Sequence, residues 1–497
     1  MTGSPDEPAG TTNGFDRRSA MAVVGVATTG ALLAGSAIAL DGSPQRMADY
    51  TWMSAGQIRD SIVGGKVSAA EITDHFLRRI ARLDPQLHAF RDVDADGARA
   101  QARALDAARA DGTAPGPLFG VPVAIKEHIK VKGLKGVFAD GHGLQQTGAT
   151  VIGEEDAICV ERLRAAGAVI VGTTVMPGMG IGVGMPDLTN HPRNPWNPAR
   201  VPGSSSAGSA AAVASAMVPL ALGSDGGGST RLPSALCGVI GIHPTAGRVP
   251  DVDYNKQYFR LLTGSFGPIA RDIHDVAITM KAIAGPDGRD MLSTHHGPPP
   301  EYLTAIERPV VDMRLGWTPD FGFAGQFFSD ETPAIIALAH QAALRMSEVG
   351  ARVESSDIRA ESFWPHVTTT LAFYDLQDQP ADAVRAALKV RQRNWALFDA
   401  ELEKYDFLLS PTAAFTALTV EQWNQSWKSL SFAPRYTATT FMFNWLMLPA
   451  ISVPIGFHHG MPVGLQIVGK PDSEPRMLQL ARAFMERFPQ PARPRVS

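Results

Sequence analysis

Short apolar runs alternate with helical patterns along the chain, and this alternation limits the fold more than any other feature of the sequence. Runs such as VPVAI at residues 121–125, VIV at 169–171 and ISV at 451–453 are typical of strands buried on both faces. Among the helical patterns, Ser68 and Glu71 have the spacing of a capping box ahead of an apolar helical face. Strands that alternate with helices predict an α/β fold, in which helices cover both faces of the sheet. Since no internal repeat or low-complexity linker divides the chain, we predict a single large domain.

The composition excludes several classes of protein. The 45 Lys and Arg residues nearly balance the 49 Asp and Glu residues, and the net charge of −4 gives no basic excess for nucleic acid. Only Cys159 and Cys237 are present, which are too few for a disulfide framework or a cysteine zinc site. We therefore predict a globular protein without a nucleic-acid partner.

The first 39 residues resemble an export signal. Arg17 and Arg18 precede residues 20–40, which carry no charge and are rich in Ala, Gly, Val and Leu. This order is typical of a secretory signal, and the paired arginines favour the twin-arginine type, with cleavage after Ala39. We expect a signal at residues 1–39, a functional domain at residues 40–497 and a periplasmic or secreted protein with no stable membrane span after cleavage. An uncleaved membrane anchor is the alternative.

The residues that suggest chemistry lie between positions 203 and 231. The run GSSSAGS at 203–209 opens a small-residue helix, and a strand then leads to GSDGGGSTR at 223–231. Glycine and serine at this density are costly in an ordered core unless the backbone itself is used. A flexible loop is the alternative, but a linker would not open and close a helix and a strand. Successive N–H groups beside a serine hydroxyl suit acyl transfer, in which negative charge develops on a carbonyl oxygen.

This block is similar to the signature sequence of the amidase signature family. That family also has a lysine at the end of an upstream strand, as in GVPVAIK at 120–126 here. Further similarity occurs in NPW at 194–196, GPIAR at 267–271, SPT at 410–412 and LPAISVP at 448–454. The resemblance covers about residues 50–490 and implies an α/β fold around a twisted mixed sheet. It also implies an amidase that hydrolyses the C–N bond of a small-molecule carboxamide through an acyl-enzyme, with no metal or cofactor; homodimers occur in the family.

The resemblance gives individual residues of this chain a role in a Ser–Ser–Lys triad. Ser229 resembles the nucleophile, Ser205 the bridging serine, whose backbone takes a cis peptide bond, and Lys126 the general base. Lys126 can act only when it is neutral, which demands a pKa far below the ~10.4 of free lysine. The backbone N–H groups that would hold the oxyanion belong to Gly226, Gly227, Gly228 and Ser229. The residues that would support the loop without reacting are Asp225 and Arg231.

Two alternatives stay open at the level of sequence. Gly203-x-Ser205-x-Ala207 approaches a nucleophile elbow, which would make Ser205 the nucleophile of another serine hydrolase acting on esters, with His243 or His274 as base. A non-catalytic protein that binds amides or pairs with a partner is the second. The family also contains the subunit that supplies ammonia for transfer-RNA amidation. The predicted leader argues against that role, because an exported protein would not meet transfer RNA.

The sequence does not identify the substrate. Aliphatic, aryl and peptide amides, and esters, all suit the same triad. The segment VMPG at 175–178 replaces the family's common Asn-Met-Pro-Glu near the substrate pocket, so the usual polar contacts there are in doubt. Several aromatic residues are either ordinary core or the lining of an acyl pocket: Phe363, Trp364, Phe373, Tyr374, Trp395, Phe441, Phe443 and Trp445.

Overall fold

An eleven-stranded mixed sheet forms the centre of the part of the chain that the structure, a computed structural model, describes. The described residues are 49–137, 150–177, 191–252, 264–367, 369, 378–426 and 432–496, so the predicted signal at 1–39 lies outside them. The strands are β1 (Phe90–Val93), β2 (Pro122–Lys126), β3 (Lys135–Gly136), β4 (Val151–Ile152), β5 (Val169–Thr174), β6 (Leu220–Asp225), β7 (Ile240–His243), β8 (Ser265–Ala270), β9 (Met313–Trp317), β10 (Ala351–Ser355), β11 (Phe407–Pro411), β12 (Ala450–His458) and β13 (Met461–Gly469).

Helices occupy most of the connections between these strands. Within the described residues the α-helices are α1 (Ala55–Val63), α2 (Ala69–Leu87), α3 (Ala95–Ala110), α4 (Ile158–Ala165), α5 (Ala207–Ala214), α6 (Arg231–Cys237), α7 (Ile273–Ile283), α8 (Tyr302–Ile306), α9 (Thr332–Arg345), α10 (Ala381–Lys404), α11 (Val420–Ser426), α12 (Phe432–Tyr436), α13 (Phe441–Trp445) and α14 (Glu474–Arg487). Short 3-10 helices are found at Ser293–His295, Ala324–Phe327, Met346–Val349 and Trp364–His366.

The sheet has the spatial order β1-β5-β2-β6-β8-β7-β12-β13-β11-β9-β10, and β3 pairs with β4 in a separate ribbon. Parallel pairs, such as β2 with β5 and β6, occur beside antiparallel pairs, such as β6 with β8. Every residue of β2, β5, β6 and β7 is buried. Because successive side chains of a strand point to opposite faces, both faces of the sheet are covered. The predicted α/β fold with a mixed sheet is therefore confirmed.

The helix predicted from Ser68 and Glu71 is α2, but only half of its capping box forms. Ser68 Oγ accepts the Glu71 N–H at 3.0 Å, whereas the Glu71 carboxylate accepts the Tyr50 hydroxyl at 3.0 Å. A complete capping box begins α1 instead, where Ser54 and Gln57 exchange hydrogen bonds of 3.0 and 3.1 Å.

The register of β2 and β6 brings two chemically important segments to one edge of the sheet. The two strands are parallel, and Ile125 lies beside Leu222. Lys126 ends β2, and Asp225 ends β6 immediately before the glycine turn. Because the carboxyl ends of parallel strands meet at the same edge, the lysine and the glycine turn lie side by side.

Candidate active site

Lys126 lies inside the protein. Its side chain is fully buried, and Nζ donates hydrogen bonds to Ser205 Oγ at 2.7 Å and to Ser224 Oγ at 2.9 Å. The neighbouring Glu127 is also buried, and its carboxylate accepts the Met176 N–H at 2.5 Å. Within the described part of the chain no carboxylate lies at ion-pair distance from Nζ. Nζ also donates to the Ser224 carbonyl at 3.4 Å, so the amine is solvated by neutral oxygens rather than by a counter-charge.

This environment sets the protonation state of the lysine. Burial lowers the pKa of Lys126 to about 7, although the negative charges of Asp225 and Glu127 oppose the effect. Near neutral pH a large fraction of the amine is therefore uncharged. An uncharged amine has a lone pair and can accept a proton from a hydroxyl at 2.7 Å.

The segment that carries Ser205 is held from two sides. The peptide bond between Ser204 and Ser205 is cis, as the family resemblance implied. The Tyr436 hydroxyl accepts the Ser204 N–H at 2.5 Å, and the Ser206 N–H donates to the Ser229 carbonyl at 3.1 Å. These bonds place Ser205 between the buried lysine and the glycine turn.

Ser229 stands at the end of the glycine turn with a half-buried side chain. Its hydroxyl makes no hydrogen bond to another described residue, and the N–H groups of Gly226, Gly227 and Ser229 have no acceptor there either. The Gly228 N–H, in contrast, donates to Asp225 Oδ1 at 2.6 Å. Of the four expected oxyanion donors, the Gly228 N–H is thus already engaged by Asp225, and those of Gly226, Gly227 and Ser229 stay free among the described contacts.

A buried ion pair between Asp225 and Arg231 stabilises the glycine turn. Arg231 Nε and Nη2 donate to the two oxygens of Asp225 at 2.9 and 3.0 Å, and both side chains are fully buried. Arg231 also donates to the side-chain carbonyl oxygens of Asn444 and Gln466 at 2.5 and 2.6 Å. Burial alone would raise the pKa of Asp225, but the charge of Arg231 and the hydrogen bonds that the carboxylate accepts from Arg231 and Asn444 hold it well below its usual range. Asp225 is therefore ionised at neutral pH, and its bonds to Arg231 fix the loop.

Aromatic rings close the side of the site next to Gly227. A Cβ at Gly227 would lie 2.7 Å from Phe441 Cδ2, and Thr440 Oγ1 donates to the Gly227 carbonyl at 2.8 Å. Phe441 stacks on Phe363 with 5.0 Å between ring centroids. We call the rings joined by such contacts the aromatic cluster: Phe323, Phe327, Phe363, Trp364, Phe441 and Trp445.

The other aromatic residues named from the sequence have different positions. Phe443 is fully buried behind the aromatic cluster, where it packs edge-on against Phe321 at 5.0 Å. Trp395 is 38% exposed on α10. Phe373 and Tyr374 lie outside the described residues. Of the two roles left open for these side chains, Phe443 has that of ordinary core, whereas Phe441, which is 5% exposed, packs against Gly227 of the turn.

The geometry does not support a histidine base for Ser205. His243 is fully buried, its Nδ1 lies 2.5 Å from Ser265 Oγ, and burial lowers its pKa to about 3. His274 lies at the start of α7, and its hydrogen bond to Asp272 raises its pKa to about 9. Neither ring makes a hydrogen bond to Ser205, so the arrangement that a nucleophile elbow requires is not formed by these residues.

Sequence reasoning missed several residues of this site. Ser224 could have been found, because it directly precedes Asp225 in the signature block and so must lie near the end of β6. Tyr436 and Asn444 are more than 200 positions away from the loop they contact. No local pattern connects them to it, because their role depends on how the chain folds back over the sheet.

Comparison with known proteins agrees with this architecture. The family model described as Amidase matches residues 71–378 and 357–478. A glutamyl-tRNA(Gln) amidotransferase subunit of Moorella thermoacetica is 33% identical over 485 residues, which cover 87% of this chain and 96% of that protein. A bacterial aryl acylamidase of the amidase signature family has the same fold, with a TM-score of 0.76 at 23% identity over 88% of this chain and 97% of that one. The corresponding amidotransferase subunit of Thermotoga maritima has a TM-score of 0.71 at 26% identity over 90% and 99%.

The fold, the signature block and these matches define an amide-bond enzyme. The chain belongs to the amidase signature family, as its sequence predicted.

The prediction that the protein is exported is wrong. The curated relatives contradict it. They match 87% of the chain and are subunits of glutamyl-tRNA(Gln) amidotransferase. This is the kind of protein that the predicted export was expected to exclude. An apolar segment after two arginines is a compositional pattern, and it does not by itself establish export. No helix within the described residues is both long and apolar enough to cross a bilayer.

Proposed function

We propose that this protein hydrolyses a carboxamide through Lys126, Ser205 and Ser229. The observation that carries the proposal is the buried Nζ of Lys126, 2.7 Å from Ser205 Oγ, with a pKa lowered to about 7 by burial. A lysine in this state can accept a proton at physiological pH, which an exposed lysine cannot do to a useful extent.

In the proposed reaction a proton moves along two hydroxyl groups. Lys126 Nζ takes the proton of Ser205, and Ser205 takes that of Ser229. Ser229 Oγ then attacks the carbonyl carbon, and the negative charge on the carbonyl oxygen is held by the N–H groups of Gly226, Gly227 and Ser229. The relay returns the proton to the leaving nitrogen, the C–N bond breaks, and an amine or ammonia departs.

Water completes the cycle. It attacks the ester carbon of the acyl-Ser229, and the same relay through Ser205 and Lys126 takes up its proton. The C–O bond to Ser229 then breaks, Ser229 Oγ regains a proton, and the carboxylic acid leaves. The free N–H groups of the turn serve both halves of the reaction, because each half develops an oxyanion at the same position.

The aromatic cluster suggests which amides fit. A carbonyl oxygen held about 3 Å from the N–H groups of the turn brings the adjacent substituent within contact distance of Phe441, which packs against Gly227. A large apolar or aromatic substituent would bury more apolar surface against this ring than a methyl group would, and would gain more from the contact. We therefore propose a substrate with a bulky apolar group beside its amide carbonyl.

A fluorophosphonate probe followed by peptide mapping tests the nucleophile. We expect covalent labelling of Ser229 and loss of amidase activity in the same proportion. Labelling of Ser205 would instead support the nucleophile elbow, and absence of labelling would support a binding protein without catalysis. Ser229→Ala is the matched control, since it should remove the label without changing the fold.

A second candidate function is suggested by the relatives. The curated matches are glutamyl-tRNA(Gln) amidotransferase subunits with 33% and 34% identity over 87% of this chain. On this alternative the chain would release ammonia from an amide for transfer and would act together with a protein partner. The same triad would serve both functions, because each begins with cleavage of a carboxamide C–N bond.

Substrate profiles separate the two candidates. We propose to measure ammonia and carboxylate release by the purified chain from glutamine, benzamide and acetamide. Faster turnover of benzamide than of glutamine supports an independent amidase. Glutamine as the only substrate, with turnover that rises when a partner protein is added, supports a role as one component of an amidotransferase.

A further inference from the structure

A second cavity lies at the far ends of the two helices that follow the candidate catalytic serines. Its volume is about 490 Å³, and its lining includes Ala214 at the end of α5, Gly238 immediately after α6, and Trp52 near the start of α1. Because α5 rises about 1.5 Å per residue over its length, the cavity is roughly 12 Å from the serine end of that helix. It is therefore separate from the space around Lys126.

Three arginines surround one indole ring at this cavity. The guanidinium carbons of Arg493, Arg271 and Arg79 lie 4.6, 5.5 and 5.8 Å from the centroid of the Trp52 ring. Each distance is within the range of a cation–π contact. The Trp52 ring thus attracts three guanidinium groups, whose positive charges would otherwise repel one another.

Within the described part of the chain these arginines have no carboxylate partner at ion-pair distance. Arg79 donates to the Ser215 carbonyl at 2.6 and 3.0 Å, and Arg271 donates to the Val213 carbonyl at 2.7 Å. Arg271 also donates to the carbonyls of Val218 at 2.9 Å and of Met53 at 3.2 Å, so all these contacts are with neutral carbonyl oxygens. Arg493 is exposed, and no hydrogen bond or ion pair with another described residue engages its guanidinium.

The other charged groups that line the cavity neutralise one another. Asp272 lies 3.1 Å from His274, and Arg482 Nε donates to Glu486 at 2.9 Å. The hydrogen bond to Asp272 raises the pKa of His274 to about 9, so this ring is positively charged at neutral pH. Asp49 attracts Arg79, and Asp275 and Asp272 attract Arg271, without an ion-pair contact. No described carboxylate lies at ion-pair distance from Arg493, so its charge is available to an anion.

We propose that this cavity binds a small oxyanion, a carboxylate or a phosphate, on Arg493, in the positive field of Arg271 and Arg79. Guanidinium groups bind such anions through paired N–H donors, and all nitrogens of Arg493, which lines the cavity, are free for this purpose among the described contacts. The site is independent of the proposed amidase reaction, because it uses none of the groups that hold or activate the substrate there.

Calorimetric titration tests the site with two probes, inorganic phosphate and succinate, at an ionic strength held constant with sodium chloride. The wild-type chain is compared with Arg493→Gln and with Arg495→Gln. Arg495 lies in the same C-terminal tail but does not line the cavity, so it is the matched control for general charge. We expect binding of at least one probe, with Kd raised about tenfold or more in Arg493→Gln and less than twofold in Arg495→Gln.

Three results would overturn the proposal: no binding of either probe, unchanged binding in Arg493→Gln, or equal weakening in both variants, which would indicate attraction to the tail as a whole. Binding of phosphate alone or succinate alone would support the site and identify the source of the oxyanion. The result does not depend on amidase activity, so failure of one proposal leaves the other intact.

Discussion

The loop that carries Ser229 and the aromatic cluster beside it are stabilised in different ways. The loop is held by directional bonds: Asp225 accepts the Gly228 N–H at 2.6 Å and is paired with Arg231 at 2.9 Å. The aromatic cluster is held by ring contacts such as Phe363 on Phe441 at 5.0 Å, which tolerate changes of angle and of residue. The hydroxyl of Thr440 joins the two regions through the Gly227 carbonyl.

Because of this difference, we expect the loop to determine whether the reaction occurs and the aromatic cluster to determine which substrate is preferred. Directional bonds fail when one partner is replaced, because a buried donor or acceptor is left without a partner. Ring contacts lose part of their energy when one ring is replaced, and the neighbouring rings can shift to fill the space. Substitutions in the loop should therefore stop the reaction or unfold the protein, whereas substitutions in the aromatic cluster should change which amide is preferred.

The largest expected effect is on turnover in the loop. Replacing Ser229 by Ala removes the proposed nucleophile, and we expect kcat for an amide to fall by about 10⁴-fold or more. The thermal midpoint should stay within a few degrees, because the side chain is half-buried and makes no hydrogen bond to another described residue. The measurements are steady-state release of carboxylate and a thermal melt.

Ser347→Ala, at an exposed serine in the 3-10 helix Met346–Val349, is the control and should keep wild-type turnover. If Ser229→Ala retained more than a tenth of wild-type turnover, the loop would not supply the nucleophile. The assignment of the chemistry to the loop, as opposed to the aromatic cluster, would then be wrong.

The next effect is on folding stability. Arg231→Leu leaves the charge of Asp225 buried without its partner, and we expect the free energy of unfolding to fall by about 3–5 kcal/mol. Arg352→Leu removes an ion pair with Asp312 in which the side chains are 68% and 72% exposed, and should cost no more than about 1 kcal/mol. Urea unfolding curves measure both, and equal losses would contradict a supporting role for the buried pair.

The pKa of Lys126 gives a third test, in which stability and activity are measured on the same variant. A native pKa of about 7 against the usual ~10.4 means that the unfolded chain binds one more proton between these pH values. The unfolding free energy of the wild type should therefore rise with pH, relative to Lys126→Met, by up to about 1.4 kcal/mol per pH unit from pH 7 to pH 10. Urea unfolding at several pH values measures the slope.

Activity supplies the second readout for this lysine. Wild-type kcat should rise as pH increases through about 7, because the neutral amine is the proposed base. Lys126→Met should lose turnover by orders of magnitude at every pH. Lys66→Met, at an exposed lysine, is the control and should keep both the wild-type pH dependence and the turnover. A wild-type profile that is flat between pH 6 and 8 would remove Lys126 from the proton relay.

The two regions also differ in how far the sequence could predict them. Acyl transfer needs particular residue types, so the glycine–serine block could be recognised without coordinates, and Lys126 through the family resemblance. The hydrogen bond from the Gly228 N–H to Asp225 could not be predicted, because no local pattern in the sequence shows it. Tyr436 was missed for a similar reason: its contact with Ser204 spans 232 positions.

The aromatic residues could not be ranked from the sequence, since core and pocket both require only apolar volume. The α/β class was predictable because buried strands and amphipathic helices have different periods. The order of strands in the sheet was not, because β7 lies between β8 and β12 through pairings that no local pattern specifies. Chemistry with strict geometric demands is therefore visible in this sequence, whereas packing becomes visible only in the fold.

The smallest expected effect tests the aromatic side of the comparison. Phe441→Ala should lower the ratio of kcat/KM for benzamide to that for acetamide by about tenfold, since a ring contact and its burial are worth roughly 1–2 kcal/mol. Phe443→Ala, two residues further along α13, removes a ring that is fully buried behind the cluster. It should lower the thermal midpoint and leave the ratio unchanged. Equal ratios in the wild type and Phe441→Ala, with normal acetamide turnover, would mean that the substrate does not contact this ring, even though the triad operates as proposed.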